Sequence, residues 1–142
     1  MKEENIISYV GAKAILKNKN GEVLIVKENW SDKWGLPGGR IQEGEIDISL
    51  QACLEREIKE ELGGVDVRVG GYFDSMFRRL GRPKNPNVLF AFANFYISDF
   101  LGGEIKLQDS ELLEFAWVNE VNYENYEYIS GYKKILDKYF KR

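Results

Sequence analysis

The segment 47–64 constrains the fold of this chain more than any other stretch. Apolar side chains recur there at the spacing of one helical face, in a stripe made of Leu50, Leu54, Ile58 and Leu62. Gly63 and Gly64 follow the stripe, and glycine accepts the left-handed backbone conformation in which many helices end. The sequence therefore predicts a helix with one buried face, capped at its start by Asp47 or Ser49.

Three glutamates of this helix occupy positions that should weaken it. Glu57, Glu60 and Glu61 follow the spacing i, i+3 and i+4, so their side chains meet on one face and repel each other. One interpretation is a solvated charged surface. Their position beside the apolar stripe favours a bound divalent ion, because oxygen ligands of this kind suit Mg²⁺ or Mn²⁺. On a helical wheel Arg56 points to the far side of Glu57, so we do not expect Arg56 to neutralise it.

The loop before the helix is rich in turn-forming residues. Pro37, Gly38 and Gly39 are consecutive, and glycines let the backbone approach a ligand closely, as phosphate sites require. Glu43 and Glu45 add two carboxylates. The three residues 37–39 alone would predict only a turn. Together with the glutamates of the helix, they predict a ligand site.

Composition limits the class of protein. The chain has 142 residues, 44% of them apolar and 30% charged, which predicts one domain spanning 1–142. It has no histidine and a single cysteine, Cys53, which excludes internal disulfides and histidine-dependent nucleophiles. A net charge of −3 makes nucleic acid an unlikely partner. No apolar run approaches the roughly 18 residues of a membrane span, so we expect a cytoplasmic protein without a membrane partner.

The remaining patterns predict a mixed α/β domain. Alternating or β-rich stretches predict strands at 6–16, 22–26, 65–73, 88–97 and 112–118. The stretch 78–87 is a basic sequence with Pro and Gly, and we expect a loop there. Residues 128–140 have helical spacing and should pack on the sheet.

The glycine-rich loop and the glutamate helix together match a known pattern. Residues 35–45 (GLPGGRIQEGE) and 56–63 (REIKEELG) resemble the Nudix box, G-x5-E-x7-REUxEExGU, in which U is a bulky apolar residue. Gly39 takes the first glycine, Glu45 the first glutamate and Gly63 the last glycine. The approach from Trp34 and the region 111–117 are also similar to Nudix hydrolases. The resemblance covers roughly residues 6–140 and implies an α/β/α sandwich, with a mixed β-sheet between helices.

The chain departs from this pattern in two places. Ten residues separate Glu45 from Arg56, where the pattern has seven. The extra residues are almost one helical turn, which predicts a longer loop or a longer start of the helix. Gly64 stands where a bulky apolar residue is expected, and we expect Val65 to fill that space.

The resemblance implies hydrolysis of a pyrophosphate linkage in a nucleoside diphosphate joined to a further group. A nucleoside triphosphate or an ADP-ribose-like compound is the expected substrate, and Mg²⁺, or else Mn²⁺, the expected cofactor. Two alternatives stay open: a catalytically weak nucleotide-binding or regulatory domain, and a pyrophosphohydrolase acting on capped RNA. A homodimer is also compatible with the resemblance.

The resemblance also implies roles for individual residues near the metal. Glu57, Glu60 and Glu61 are the expected metal ligands, together with the backbone carbonyl of Gly38. Arg56 is expected to orient one of these carboxylates. The general base is expected to be Glu57 or a glutamate of a later loop, first Glu111 and then Glu114.

The substrate side of the site is expected to be basic and aromatic. Arg78 and Arg79 are the expected phosphate-binding residues, within a basic cluster that also contains Arg82 and Lys84. Trp34, Gly38 and Gly39 are expected to contact the substrate. Aromatic side chains that could stack on a base, or belong to the core, are Trp30, Trp34, Tyr72, Phe73 and Phe77.

Overall fold

The computed structural model describes residues 4–81, 84–108, 110 and 112–142. These residues form strands β1 (Ser8–Lys17), β2 (Val23–Glu28), β3 (Trp34–Gly35), β4 (Gly38–Arg40), β5 (Asp66–Arg79), β6 (Phe90–Gly102) and β7 (Leu112–Val118). The α-helices are α1 (Leu50–Leu62) and α2 (Tyr132–Phe140), and two short 3-10 turns lie at Glu43–Glu45 and Tyr123–Asn125. Among the described residues, no helix is long and apolar enough to span a membrane.

The strands form one mixed sheet in the order β3-β2-β1-β6-β5, with β4 paired to β1 and β7 paired to β2. β1 and β6 run parallel, whereas β5 is antiparallel to β6. Side chains alternate between the two faces of a strand, so Ile15 packs in a core with residues of α2, and Leu16 packs in a core with residues of α1. The sheet therefore lies between two helices, which confirms the predicted α/β/α sandwich.

Helix α1 has the local features that the sequence predicts. Ser49 is the cap, and its hydroxyl oxygen accepts a hydrogen bond from the Ala52 amide at 3.1 Å. Gly63 ends the helix with φ of 82°. Val65 is buried in the same core as the apolar stripe, so it fills the space that Gly64 leaves. Leu54, Ile58 and Leu62 of the stripe are fully buried, and the burial of each stabilises the fold by about 1.5–3 kcal/mol.

The ends of several predicted elements differ in the structure, most of all those of β5, β6 and α2. β5 continues to Arg79, because it pairs with β6 as far as Arg79 opposite Phe90. The prediction that the basic loop begins at residue 78 is therefore wrong, since Arg78 and Arg79 belong to a strand. β6 begins at Phe90 rather than at 88. Helix α2 begins at Tyr132 rather than at 128, after Gly131 with φ of 100°.

The short strand β4 determines where the glycine-rich loop lies. It pairs with β1 through Ala12 opposite Gly39 and Lys13 opposite Gly38, and the Ala14 amide donates to the Pro37 carbonyl at 2.9 Å. Gly38 has φ of 134°, and a Cβ there would overlap the backbone of β1. The loop therefore lies tightly on β1, beneath α1.

Candidate active site

A cleft of about 570 Å³ opens where β4 lies on β1. Residues 28–30, at the end of β2, line one end of the cleft. On the other side of β1, where β6 and β5 lie, the cleft is lined by Arg78, Leu80, Gly81 and Lys84. Lys13 of β1 and Tyr132 of α2 line it between these ends. Its volume is in the range that holds small-molecule ligands.

The structure brings the three predicted metal-binding glutamates together beside this cleft. Glu57 and Glu61 line the cleft, and both also line an adjoining groove of about 240 Å³ with Glu60 and Gln108. Glu61 is buried, at 7% exposed, whereas Glu60 is exposed. The carboxylates thus lie between two openings to solvent.

The glycines of β4 hold two of these carboxylates. The Gly38 amide donates to Glu61 Oε1 at 2.9 Å. A Cβ on Gly39 would overlap the side chain of Glu57. Gly38 and Gly39, which were predicted to contact substrate or metal, both line the cleft. In the structure, their backbone is also what positions the acidic side chains.

Arg56 binds the carboxylates around it, and the prediction that it points away from Glu57 is wrong. Its Nε and Nη2 donate to the two carboxylate oxygens of Glu45 at 2.7 and 2.8 Å. Its Nη1 donates to Glu57 Oε2 and to Glu60 Oε2, each at 2.8 Å. A helical wheel places Cα atoms, whereas the long guanidinium stem bends back along the helix surface. The hydrogen bonds from Arg56 hold the pKa of the Glu45 carboxyl below its usual range, and the same bonds raise the pKa of Arg56.

The donor set fits a hard divalent ion, although the side chains are not converged for one. Among the described residues, no three Asp, Glu, Cys or His side chains form a ready cluster for a metal ion. Arg56 Nη1 accounts for this, because it bonds to both Glu57 and Glu60. The bidentate pair with Glu45 would keep Arg56 in place if those two bonds were released. Three carboxylates on neighbouring helical positions are then available as oxygen ligands.

Lys13 is a cleft residue that sequence reasoning missed. Its ammonium donates to the Gly38 carbonyl at 3.1 Å. Burial lowers the pKa of Lys13, but Tyr132, Glu61 and Glu28 outweigh it and raise that pKa above its ordinary value. The ammonium therefore stays charged. The sequence signal that could have found it was a lysine in the middle of a strand, flanked on both sides by apolar residues.

The predicted phosphate-binding arginines lie on opposite faces of β5. Arg78 lines the cleft, with its guanidinium 5.5 Å from the centre of the Tyr132 ring. Arg79 lies over the ring of Phe90 at 4.7 Å and does not line the cleft. Lys84 lines the cleft, and Arg82 lies outside the described residues.

Most of the candidate aromatic residues lie away from the cleft. Trp34 is in the core, edge-on to Tyr126 at 5.2 Å between ring centres, so the structure does not bring it to the substrate side. Trp30 does line the cleft, is 41% exposed, and donates its indole N–H to Glu28. The three others, which do not line it, are Tyr72, Phe73 and Phe77.

The structure places neither of the two later glutamates at the cleft. Glu111 lies outside the described residues. Glu114 is exposed on β7, with a carboxylate oxygen 3.7 Å from Lys27 Nζ, and does not line the cleft. Leu112 does line it, so the start of β7 borders the site.

The fold and site define an α/β/α domain with a carboxylate cluster beside a ligand-sized cleft. The chain belongs to the Nudix family, because the family model described as NUDIX domain matches residues 8–139.

Individual relatives agree with this assignment. The chain is 33% identical over 129 residues to "Nudix hydrolase 5" of Arabidopsis thaliana, covering 87% of this chain and 40% of the relative. It is 29% identical over 112 residues to a "Putative 8-oxo-dGTP diphosphatase" of Bacillus subtilis (strain 168), covering 77% of this chain and 65% of the relative. The chain thus spans less than two thirds of the length of either curated relative.

A solved structure shows the same fold. The crystal structure of the MutT protein from Methanosarcina mazei Go1 superposes with a TM-score of 0.77 at 22% identity, covering 99% of this chain and 97% of that one.

Proposed function

We propose that this chain hydrolyses a pyrophosphate linkage in a nucleoside diphosphate joined to a further group, with Mg²⁺ or Mn²⁺ as cofactor. One observation carries the proposal: the α1 glutamates Glu57 and Glu61 are held against β4 and line a cleft of about 570 Å³. Membership of the Nudix family supports it.

The residues divide the chemical work by their surroundings. Glu60 and Glu61, with Glu57 where it does not act as the base, would hold the metal, which would neutralise phosphate charge and lower the pKa of a bound water. The Gly38 amide fixes one oxygen of Glu61, and Arg56 keeps the helix and the 3-10 turn together. Glu57 lines the cleft, so we assign it, in place of a role as metal ligand, as the base that takes the proton of the attacking water, with Glu111 and then Glu114 as the alternatives.

The proposed substrate is a nucleoside triphosphate, ordinary or oxidised, or an ADP-ribose-like compound. Trp30 offers an exposed ring for a base at the β2 end of the cleft. Arg78 and Lys84 offer positive charge at the β5 end. The name of the Bacillus subtilis relative places an oxidised nucleotide among the compounds to be tried first.

The test is turnover of a substrate panel by the wild type and by Glu61→Gln, first with Mg²⁺ and then with Mn²⁺. The panel holds nucleoside triphosphates, 8-oxo-dGTP, ADP-ribose, nucleotide sugars, dinucleoside polyphosphates and a capped RNA oligonucleotide. Because the variant loses one charged metal ligand, we expect kcat/KM to fall by about 100-fold or more, with little change in Tm.

Glu55→Gln is the matched control, since Glu55 is on the same helix but pairs with Lys59 at the exposed surface. It should keep wild-type activity. Unchanged activity in Glu61→Gln would remove the metal assignment. Metal binding without turnover of any compound would favour a nucleotide-binding or regulatory domain instead.

A further inference from the structure

Two cations that line the cleft form no ion pair with a described carboxylate. Lys13 comes from β1 and Arg78 from β5, and both line the cleft beside Tyr132. Among the described residues, neither side chain has a carboxylate within ion-pair distance. The other lysine on the same face of β1 differs, since Lys17 Nζ lies 2.6 Å from Asp99 Oδ1.

The two side chains carry the same charge, and both line one cleft. Two like charges that border one cleft repel each other, and an anion between them relieves the repulsion. Phosphate oxygens are suitable acceptors for both an ammonium and a guanidinium.

Lys13 also has hydrogen-bonding capacity to spare. An ammonium has three donors, and one of them bonds to the Gly38 carbonyl. No second hydrogen bond from Lys13 occurs in the described part of the chain. The side chain is therefore held in position by one bond while two donors remain for a ligand in the cleft.

Gly38 joins this cation pair to the acidic side chains. Its amide N–H bonds to Glu61, and its carbonyl oxygen bonds to Lys13. The N–H and C=O belong to a single residue, so the separation between the two sites is short and set by the backbone. A carbonyl oxygen has two lone pairs, which leaves one for a metal ion.

We propose that Lys13 and Arg78 together bind one phosphate group of the substrate, adjacent to the phosphate that a metal ion at Glu57 and Glu61 would hold. The identification of the anion as substrate phosphate rests on the proposed function. The short link through Gly38 selects ligands with two neighbouring phosphates, so a diphosphate unit should bind better than a single phosphate.

The experiment measures binding of imidodiphosphate, a diphosphate analogue with a non-hydrolysed P–N–P link, by titration calorimetry in the presence of Mg²⁺. Lys13→Met and Arg78→Met should each weaken binding about tenfold or more, the usual effect of losing a charge-assisted hydrogen bond. Lys13→Arg should lie between Lys13→Met and the wild type. Inorganic phosphate, measured in parallel, should bind more weakly than imidodiphosphate to the wild type.

Two matched controls come from the same strands. Lys17→Met removes a lysine of β1 that pairs with Asp99, and Arg79→Met removes the neighbour of Arg78 that lies over Phe90. Both should bind imidodiphosphate within about twofold of the wild type. If Lys13→Met melts normally and binds as the wild type does, or if both controls lose as much affinity as the cleft variants, the proposal is wrong.

The outcome is separable from that of the proposed hydrolysis. Binding of imidodiphosphate needs no turnover. An inactive wild type would therefore contradict the proposed hydrolysis, while the titration would still test the roles of Lys13 and Arg78. If the wild type does turn over a substrate, both cleft variants should raise KM more than they lower kcat, because the phosphate contact exists already in the ground state.

Discussion

Gly39 shows how one missing side chain positions another. The Glu57 side chain occupies the space where a Cβ on Gly39 would lie. The neighbouring Gly38 is restricted by the backbone of β1 instead. The two glycines therefore have different roles: Gly38 lets β4 lie on β1, and Gly39 lets α1 bring a carboxylate onto β4.

Replacing Gly39 with alanine should separate activity from stability. The added methyl group meets the flexible end of Glu57 rather than rigid backbone, so the glutamate moves aside while the fold stays intact. We expect affinity for Mn²⁺ and turnover to fall by about tenfold or more, the effect usual for a disturbed ligand environment, with a small change in Tm. Calorimetric titration measures the affinity for Mn²⁺, an activity assay measures turnover, and a thermal melt measures Tm.

Gly44→Ala provides the comparison, because a Cβ there would meet no heavy atom within 4 Å. It should match the wild type in metal affinity. Equal effects of the two substitutions would show that the space at Gly39 is not what positions Glu57.

Local periodicity predicted part of the candidate site. The spacing of Glu57, Glu60 and Glu61 placed them together, and the structure brings them together; their role as metal ligands stays a prediction. The sequence could not predict that Arg78, and not Arg79, faces the cleft, because this depends on the register of β5 against β6. Lys13 differs, because a lysine between apolar strand residues is visible in the sequence, while its contact with Gly38 depends on the pairing of β1 with β4.

At the scale of elements, the pair Glu45–Arg56 connects the 3-10 turn to the middle of α1. The Gln42 amide donates to Glu45 Oε1 at 3.1 Å, so the carboxylate also holds its own turn. Ten residues lie between the two partners, and a short irregular segment with the first turns of α1 spans them. The pair thus forms despite the longer spacing.

This connection should make stability depend on pH in one direction. The pKa of Glu45 is lowered in the folded state, chiefly by the hydrogen bonds from Arg56. A lowered carboxyl pKa stabilises the fold above the unfolded-state pKa of about 4.3, and this contribution is lost as the pH falls through the folded-state pKa. The difference in Tm between the wild type and Glu45→Gln should therefore be largest at neutral pH and shrink below about pH 4.

Glu43→Gln is the control for that series, since Glu43 is an exposed residue of the same turn. Its Tm should follow the wild type at every pH. A difference for Glu45→Gln that stays constant from neutral to acidic pH would contradict the role assigned to the ionised carboxylate.

The elements themselves were largely predictable, and their ends were not. A stripe every three or four residues identified α1, and its cap and glycine stop are local signals. β5 was predicted to end at 73 but runs to Arg79, because pairing with β6 outweighs the polarity of its last residues. Helix α2 begins one turn later than predicted, because Gly131 has a φ of 100°, which is not helical.

At the scale of the molecule, the sheet couples two cores. Leu136 of α2 is fully buried in one core, and Leu54 of α1 is buried in the other, at 0% and 1% exposed. β1 contributes Ile15 to the first core and Leu16 to the second. Neighbouring residues of one strand thus belong to both, which favours unfolding in a single step. That residues 1–142 form one domain stays a prediction.

Leu136→Ala and Leu54→Ala test this coupling. Each substitution leaves a cavity in a different core and should lower the free energy of unfolding by about 2–5 kcal/mol. Urea unfolding followed by tryptophan fluorescence and by circular dichroism should give coincident curves for both variants. Val121→Ala, at a site 82% exposed, should change little. Two separated transitions in either variant would refute a single cooperative unit.

The glutamates between two openings have a consequence for the order of events. Glu57 and Glu61 border both the cleft and the groove beside Glu60 and Gln108. An ion at these carboxylates would exchange with solvent through the groove while an organic ligand fills the cleft. Neither the ion nor the organic ligand blocks the opening that the other uses, so the two can bind and leave in either order.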